Sequence, residues 1–194
     1  MSRDLSRIIL EKSIELFRKK GYNSVTVNEL SAACGITKAT FYHYYSSKDA
    51  LLHEFFSIFS NESWIAAQPE IARERTPLLK LWKSFEVGID ETLSMGCDFM
   101  KAIFIGDFNN HNNSSIYVVD HDSSSAKTRM EYIRQCQEDG SILNASNPQL
   151  LIDTYVDIIW GEALRWCMLD GNYDQKATLR QLFKVVFCVN DPHF

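Results

Sequence analysis

The sequence predicts an all-α protein. Apolar residues recur with helical periodicity through nearly the whole chain, and no segment alternates apolar and polar residues as a β-strand would. Helix-start signals recur as well, because Thr76-Pro77 and Asn147-Pro148 each place a capping residue before a proline at the first helical position. Of the 194 residues, 45% are apolar and 23% charged, which is typical of a globular chain and excludes a disordered one.

Three helices are predicted at the N-terminal end. The first ends at Gly21, which suits a left-handed helix stop. The second begins at Thr26, because its hydroxyl and the carboxylate of Glu29 can satisfy each other's backbone amides in a capping box. Gly35 ends that helix within about two turns, and Thr37 is placed to cap a third short helix.

Residues 26–45 therefore read as a short helix, a glycine-containing turn and a second short helix, the spacing of a helix-turn-helix. Phe41 and Tyr45 lie four residues apart and can anchor the second helix to a core. Lys48 lies at the N-terminus of the next helix, a position suited to a phosphate. The second short helix of this motif fits the DNA major groove. Its exposed positions all carry hydrogen-bonding groups: Thr37, Lys38, Thr40, Tyr42 and His43.

Residues 7–52 resemble the DNA-binding domain of the TetR family, the tetracycline-repressor-like transcriptional regulators. The resemblance rests on Ile9, Leu16-Phe17, Gly21-Tyr22, Thr26-Val27, Leu30, the block from Gly35 to Tyr45, and Ser47-Lys48-Asp49-Ala50-Leu51. It implies base or phosphate contacts from the exposed positions of the third helix, and phosphate contacts from Thr26 and Lys48. It also implies a DNA-binding domain over residues 1–50 and an effector-binding and dimerisation domain over residues 51–194.

The middle of the chain contains candidates for a ligand pocket. Aromatic residues with a few polar groups are typical of small-molecule sites. The main candidates are Trp82, Phe85, Glu86, Phe104 and Phe108, with Trp64 and Phe99 as further aromatic residues. Glu86, Asp90 and Asp107 would then receive a cationic part of the ligand. The alternative is that the aromatic residues are core and the acids face water. A cation over a ring gains only about 0.5–2 kcal/mol, so a mainly hydrophobic effector is expected.

Two apolar helices are predicted to close the chain, and they bear apolar residues on more than one face. The surplus surface needs a partner, and the TetR resemblance implies a homodimer formed through residues 148–189. The alternative is a helix pair that is fully buried within one monomer.

Several classes of protein are disfavoured. Five widely spaced cysteines without a CxxC argue against a disulfide scaffold or a zinc ribbon, and His111 and His121 lack the spacing of metal ligands. The sequence contains no catalytic signature and no phosphate-binding glycine loop, so neither an enzyme nor a cofactor is expected. The absence of a long apolar segment or signal core predicts a cytoplasmic protein.

The sequence as a whole predicts a transcriptional regulator, a ligand-responsive repressor that binds a palindromic DNA operator as a dimer. Its charge distribution is compatible with this, because residues 1–57 carry eight Lys or Arg and six Asp or Glu while the remainder is acidic. The alternative is an activator, or a partner-binding regulator of the same fold without a small-molecule effector.

Overall fold

A computed structural model describes residues 2–109 and 118–194, with side chains described over residues 5–108 and 118–194. The described residues form nine α-helices and no β-strand, with one isolated bridge between Ile142 and Val189. The all-α prediction is confirmed. In chain order, the helices are α1 (Ser2–Lys20), α2 (Val27–Cys34), α3 (Lys38–Tyr44), α4 (Lys48–Arg73), α5 (Pro77–Met95), α6 (Cys97–Asn109), α7 (Ser124–Glu138), α8 (Pro148–Met168) and α9 (Gln175–Phe187).

The predicted capping residues begin the helices. The Thr76 hydroxyl accepts from the backbone N–H of Leu79 at 3.2 Å, with Pro77 at the first helical position of α5. Asn147 starts α8 in the same way, again before a proline. These caps satisfy amides that would otherwise lack partners at the helix N-termini, so the sequence locates these starts directly.

From sequence, Gln68-Pro69 predicts a break in the chain, because a proline usually interrupts a helix, and this prediction is wrong. α4 runs through Pro69 and ends only at Arg73. A proline removes one backbone hydrogen bond and crowds the preceding turn, but only one further turn follows it here. Ile71 in that turn is 1% exposed, and burying its side chain offsets part of the cost.

The chain forms two compact units that differ from the predicted division at residue 50. The first unit comprises Met1–Phe59 and Asp98–Asn112, and the second comprises Ser60–Cys97 and Asn113–Phe194. α6 thus belongs with the N-terminal helices. Its Phe99 ring meets the edge of the Phe17 ring from α1 at a centroid distance of 6.2 Å, a contact that no local sequence pattern indicates.

The second unit has an aromatic core to which α5, α8 and α9 contribute. Phe85, Tyr155, Phe183 and Phe187 are buried, and their rings meet one another at centroid distances between 4.4 and 6.3 Å. The Tyr155 hydroxyl donates to the Leu179 carbonyl at 2.8 Å, so its polar end is satisfied. Among the helices of the described residues, none combines the length and the apolar character needed to cross a membrane.

Candidate nucleic-acid interface and effector site

α2 and α3 form the helix-turn-helix. Gly35 ends α2 in the left-handed conformation, with a φ of 68°, which a residue with a side chain rarely adopts. Thr37 then caps α3, because its hydroxyl accepts from the backbone N–H of Thr40 at 3.0 Å. The two threonine hydroxyls are also hydrogen-bonded to each other at 2.8 Å. The chain therefore reverses sharply and begins α3 at a defined residue.

One face of α3 is directed to solvent. We call it the α3 face and define it as Thr37, Lys38, Thr40, Tyr42 and His43. Four of these residues are exposed and Thr40 is partly buried. The Lys38 ammonium lies 5.9 Å from the centroid of the Tyr42 ring, and Tyr42 is 47% exposed. These side chains can approach a duplex without first leaving a protein interior.

The opposite side of α3 is anchored in the first unit. Phe41 is fully buried and Tyr45 is 3% exposed, as their helical spacing predicts. The Tyr45 hydroxyl donates to the Glu54 carboxylate at 3.2 Å and is hydrogen-bonded to Ser6 Oγ at 2.9 Å. The burial of these two rings, with polar contacts to α1 and α4, thus fixes the direction in which the α3 face points.

Thr26 is exposed and completes the predicted capping box. Its hydroxyl accepts from the Glu29 N–H at 3.3 Å, and the Glu29 carboxylate accepts from the Thr26 N–H at 2.9 Å. The hydrogen bond from Lys20 and those from Thr26 lower the pKa of Glu29 to about 2. Thr26 is therefore a cap first, and a phosphate contact from it is an additional role.

Lys48 does not simply extend into solvent. Its ammonium donates to the carbonyls of Tyr22 and Val25 at 3.0 and 3.1 Å, and it lies 4.2 Å from the centroid of the Tyr22 ring. The Tyr22 hydroxyl donates to the Asp49 carboxylate, and burial raises the pKa of Tyr22. Lys48 and Asp49 thus hold the turn between α1 and α2 against the start of α4. The residues next to Lys48 in the sequence do not indicate these contacts, because Lys48 and its partners are more than 20 positions apart.

The predicted pocket residues are divided between the two units. Trp82 and Phe85 are 3% and 1% exposed within the aromatic core of the second unit, where the Trp82 ring meets Phe183 at 5.5 Å. Phe104 is buried in the first unit, and Phe108, also on α6, is 74% exposed. The assignment of Phe108 to a pocket wall is therefore corrected: it lies on the surface. Trp82 follows the alternative, that of a core residue.

The acids expected to receive a cation already have partners. The Glu86 carboxylate lies 2.8 Å from the Lys176 ammonium and 3.0 Å from that of Lys83, and Lys176 also contacts Asp90 at 2.9 Å. Burial opposes ionisation of Glu86, but the hydrogen bonds from the two lysines outweigh it and lower its pKa. Asp107 lies in the first unit, 2.8 Å from His53. The expected cation-binding role of Glu86 is thus corrected, since protein ammonium groups already neutralise it.

A partly buried cationic group lies in the second unit. The Arg129 guanidinium of α7 lies 5.4 Å from the centroid of the Trp64 ring and 4.6 Å from that of Phe85. One terminal N–H donates to the Ser84 carbonyl at 2.7 Å, but the Nε atom is buried without a hydrogen-bond partner. Burial lowers the pKa of Arg129 to about 10, so the guanidinium is still charged at neutral pH.

Glu91 of α5 is the acid in this region. It is 5% exposed, and one carboxyl oxygen accepts from the Ser60 hydroxyl at 2.9 Å. Its other oxygen is buried without a hydrogen-bond partner. Burial raises the pKa of Glu91 against the opposing effects of Ser60, Ser63 and Arg129. We define Arg129, Glu91, Trp64, Phe85 and Ser60 as the Arg129 cluster. The sequence pointed to the aromatic residues Trp64 and Phe85 as pocket candidates but not to Arg129, Glu91 or Ser60, because a lone arginine on a polar helix carries no sign of burial.

Of His111 and His121, which lack the spacing of metal ligands, only His121 lies among the described residues. The His121 Nε2 atom lies 3.2 Å from the Asp153 carboxylate. Over the described parts of the chain, no group of three or more His, Cys, Asp or Glu side chains is arranged to hold a metal ion.

Comparison with known proteins agrees with the geometry of the helix-turn-helix. Residues 9–55 match the family model described as bacterial regulatory proteins, tetR family. The HTH-type transcriptional repressor DhaR of Mycobacterium sp. (strain GP1) is 28% identical over 189 residues, which cover 92% of this chain and 88% of DhaR. Over residues 9–55, the chain is thus similar to the TetR family of transcriptional regulators.

Solved TetR-family structures share the fold along most of the chain. The FadR repressor of Thermus thermophilus, in complex with lauroyl-CoA, superposes with a TM-score of 0.68 at 20% identity, covering 93% of this chain and 92% of that one. The FadR regulator of Bacillus subtilis, in complex with stearoyl-CoA, gives 0.61 at 15% identity, with coverages of 93% and 97%. At these identities the likeness establishes the fold alone, with an N-terminal helix-turn-helix domain and a C-terminal helical domain.

Other relatives match this chain over a short segment. The uncharacterized regulator YuxN of Bacillus subtilis (strain 168) is 36% identical over 62 residues, and the chain covers 21% of its length. The chain covers 15% of YerO from the same organism, at 48% identity. The chain thus spans about a fifth or less of the length of these two curated relatives.

Proposed function

We propose that this protein is a TetR-family regulator, a ligand-responsive repressor that binds a palindromic operator as a homodimer. One observation carries the DNA-binding part. α3 exposes Lys38, Tyr42 and His43 to solvent while Phe41, on the same two turns, is fully buried. A helix held rigidly on one side and polar on the other meets the requirements of direct base readout.

The residues on and around α3 take different parts in this function. The α3 face contacts base edges and the adjacent phosphates, and Thr26 adds a phosphate contact at the start of α2. Lys48 is a positioning residue, because two of its three N–H groups bond to the carbonyls of Tyr22 and Val25. It acts on DNA affinity by fixing the turn before α2.

Dimerisation through residues 148–189 is supported by the apolar surface of α8 and α9. Val185 of α9 is 71% exposed and Leu150 of α8 is 57% exposed. Phe183, an apolar residue of α9, is fully buried inside the protomer and forms no part of this surface. A dimer would place two α3 helices on one side of the DNA, and half-sites then lie about 34–36 Å apart.

The effector acts by shifting a population of dimers. A ligand that binds better to a dimer whose α3 helices are wrongly spaced weakens DNA binding, and DNA weakens ligand binding by the same factor. The lauroyl-CoA and stearoyl-CoA bound to the two FadR structures support a hydrophobic effector. The second unit is the proposed location, because the Arg129 cluster contains buried polar atoms without partners.

The DNA-binding proposal is tested by a gel shift with the intergenic DNA beside the protein's own gene. The wild-type protein should retard a fragment with an inverted repeat, and Tyr42→Ala should weaken this at least tenfold, since a good base contact contributes about 1–3 kcal/mol. Ile65→Ala, on an exposed α4 residue, is the matched control. Equal binding by both variants would contradict the role of the α3 face, and reporter expression that falls on deleting the gene would favour the activator alternative.

The dimer is tested by sedimentation. Val185→Asp should convert dimers into monomers at micromolar concentration, because an unpaired charge in a buried interface costs several kcal/mol. Ile65→Asp places the same charge at an α4 residue that is 62% exposed and should leave the dimer intact. A wild-type monomer, or dimers that survive Val185→Asp, would refute an interface at this part of α9.

A further inference from the structure

Resting on the proposed function, we infer that the effector is an anionic amphiphile whose negatively charged head is bound by Arg129 and Glu91 and whose apolar body packs on Trp64. The placement follows from the only two atoms of the described Arg129 cluster that combine burial with a missing hydrogen-bond partner: Arg129 Nε and Glu91 Oε1. This names the chemical class of the ligand, which the fold does not.

The charges of the second unit favour an anion. The lysines near Glu86 are paired with carboxylates, as Lys83 and Lys176 both contact it. Arg129 differs, because its direct contacts are two aromatic rings and the neutral carbonyl of Ser84, and the acid that acts on its charge, Glu91, is itself buried. A buried cation is costly when unpaired, so a ligand anion that pairs with it gains a strong, charge-assisted contact in a low-dielectric setting.

Glu91 decides which anion fits. Its burial favours the protonated carboxyl, the form that can donate an O–H to a ligand oxygen. An ionised Glu91 would instead repel an anion and neutralise Arg129. The Ser60 hydroxyl holds the carboxyl at 2.9 Å, so the acid O–H and the Arg129 Nε–H can share the two oxygens of one carboxylate.

The aromatic part of the cluster suits the apolar body of the ligand. Trp64 is 8% exposed, and its indole N–H donates to the Ser124 hydroxyl at 3.1 Å. Its one polar atom is therefore occupied, and its rings offer only apolar surface. Apolar burial at roughly 25 cal/mol per Å² supplies most of the affinity, while the head sets selectivity.

A set of ten-carbon probes that differ only in the head tests this inference. Decanoate, decyl phosphate, decanol and decylamine are added below their micelle concentrations, and binding is measured by calorimetry and by the melting temperature. Decanoate should bind at least tenfold more tightly than decanol, the expected effect of one charge-assisted hydrogen bond, and decylamine most weakly. Decyl phosphate at equal or higher affinity would replace the carboxylate by a phosphate head and overturn the carboxylate assignment. Equal binding of decanol and decanoate, or no binding of any probe, would overturn the inference.

Two variants locate the site. Arg129→Gln should abolish the preference for decanoate over decanol, whereas Lys83→Gln, which removes one positive charge from the Glu86 pair, should retain it. The preference in wild-type protein does not depend on the folding of either variant, so it remains decisive if Arg129→Gln is unstable. Loss of preference in both variants would show that net charge alone selects the anion.

The same samples separate this inference from the proposed function. If decanoate binds with the expected preference but does not release operator DNA, the anion site stands and the repressor mechanism fails. If decanol and decanoate release DNA equally, the repressor mechanism stands and the anion site fails.

Discussion

The α3 face and the Arg129 cluster use polar side chains in opposite surroundings. Lys38, Tyr42 and His43 of the α3 face are exposed, so these side chains lose their bound water only when they contact DNA. Arg129 Nε and Glu91 Oε1 are buried without hydrogen-bond partners, so these two atoms lose their bound water when the protein folds. The first arrangement suits a large polyanion bound from solvent. The second suits a small ligand whose polar atoms replace the missing partners.

This difference extends to salt. Binding at an exposed basic face releases counterions, so DNA affinity falls steeply with salt concentration. Charges in a buried cluster are screened much less. The comparison therefore predicts a steep salt dependence for operator binding and a shallow one for decanoate binding.

The largest effect is expected where the exposed face depends on a buried anchor. Phe41→Ala removes a fully buried ring from the first unit and should cost about 3–5 kcal/mol of unfolding free energy, measured by urea denaturation. Tyr42→Ala, next along α3 but 47% exposed, should cost less than about 1 kcal/mol yet still impair DNA binding. If the two variants lost similar stability, the division of α3 into a buried and an exposed side would fail.

The helix-turn-helix could be predicted from the sequence because the signals that specify it are local. Thr26, Thr37 and Gly35 act on residues within three or four positions of themselves, and the structure contains all three as caps. Phe41 and Tyr45 follow from the helical period. Capping and periodicity are short-range physics, so one sequence suffices to locate them.

For the remainder of the chain, the sequence predicted the helices but not which side chains they bring together. Trp82 and Phe108 have the composition of a pocket wall, yet one is core and the other is 74% exposed. Whether an aromatic residue or an arginine is buried depends on helices far away in sequence, as with Trp64 and Ser84 around Arg129. The Lys48 contacts with Tyr22 and Val25 could not be predicted for the same reason. The residue type shows which interactions a side chain can make, whereas tertiary packing determines which of them it makes.

The next largest effect tests the buried side of the comparison through pH. Burial raises the pKa of Glu91 above the ordinary value of 4.5, so its protonated form contributes stability that is complete below that value and is lost as pH rises through the folded-state pKa. Glu91→Gln cannot ionise and should gain about 1–3 kcal/mol over wild type by neutral pH. Near pH 4 the two should be equally stable.

Denaturation curves from pH 4 to pH 8 measure this difference. The control is Glu131→Gln, because the Glu131 side chain is 57% exposed and its removal should change stability little at any pH. A gap between Glu91→Gln and wild type that is constant with pH would mean that the carboxyl remains in one protonation state throughout. If Glu91→Gln were less stable than wild type by the same amount at every pH, the inferred role of protonated Glu91 would lose its support.

A smaller effect is expected at Lys48, which joins the exposed face to the interior. Lys48→Met retains the alkyl stem over the Tyr22 ring but removes both hydrogen bonds to carbonyls, and should cost roughly 1–2 kcal/mol of stability. Operator affinity should fall while the salt slope stays constant, because a positioning residue neutralises no phosphate. Lys38→Met is the control and should lower the slope by about 1. A drop of that size in Lys48→Met would restore Lys48 as a direct phosphate contact.

The smallest effect separates two roles of one exposed residue. Thr26→Ala removes the capping hydroxyl of α2 and should cost about 1 kcal/mol of stability. Thr26→Asp retains a good capping oxygen, so it should fold almost as stably as wild type, but it brings a negative charge to the start of α2. If Thr26 lies against a phosphate, Thr26→Asp should lose DNA affinity by more than Thr26→Ala does. Gel shifts at two salt concentrations would show it, since the loss from repulsion shrinks as salt rises. Should both variants bind DNA in proportion to their stability alone, Thr26 is a helix cap and nothing more, and the recognition surface is confined to α3.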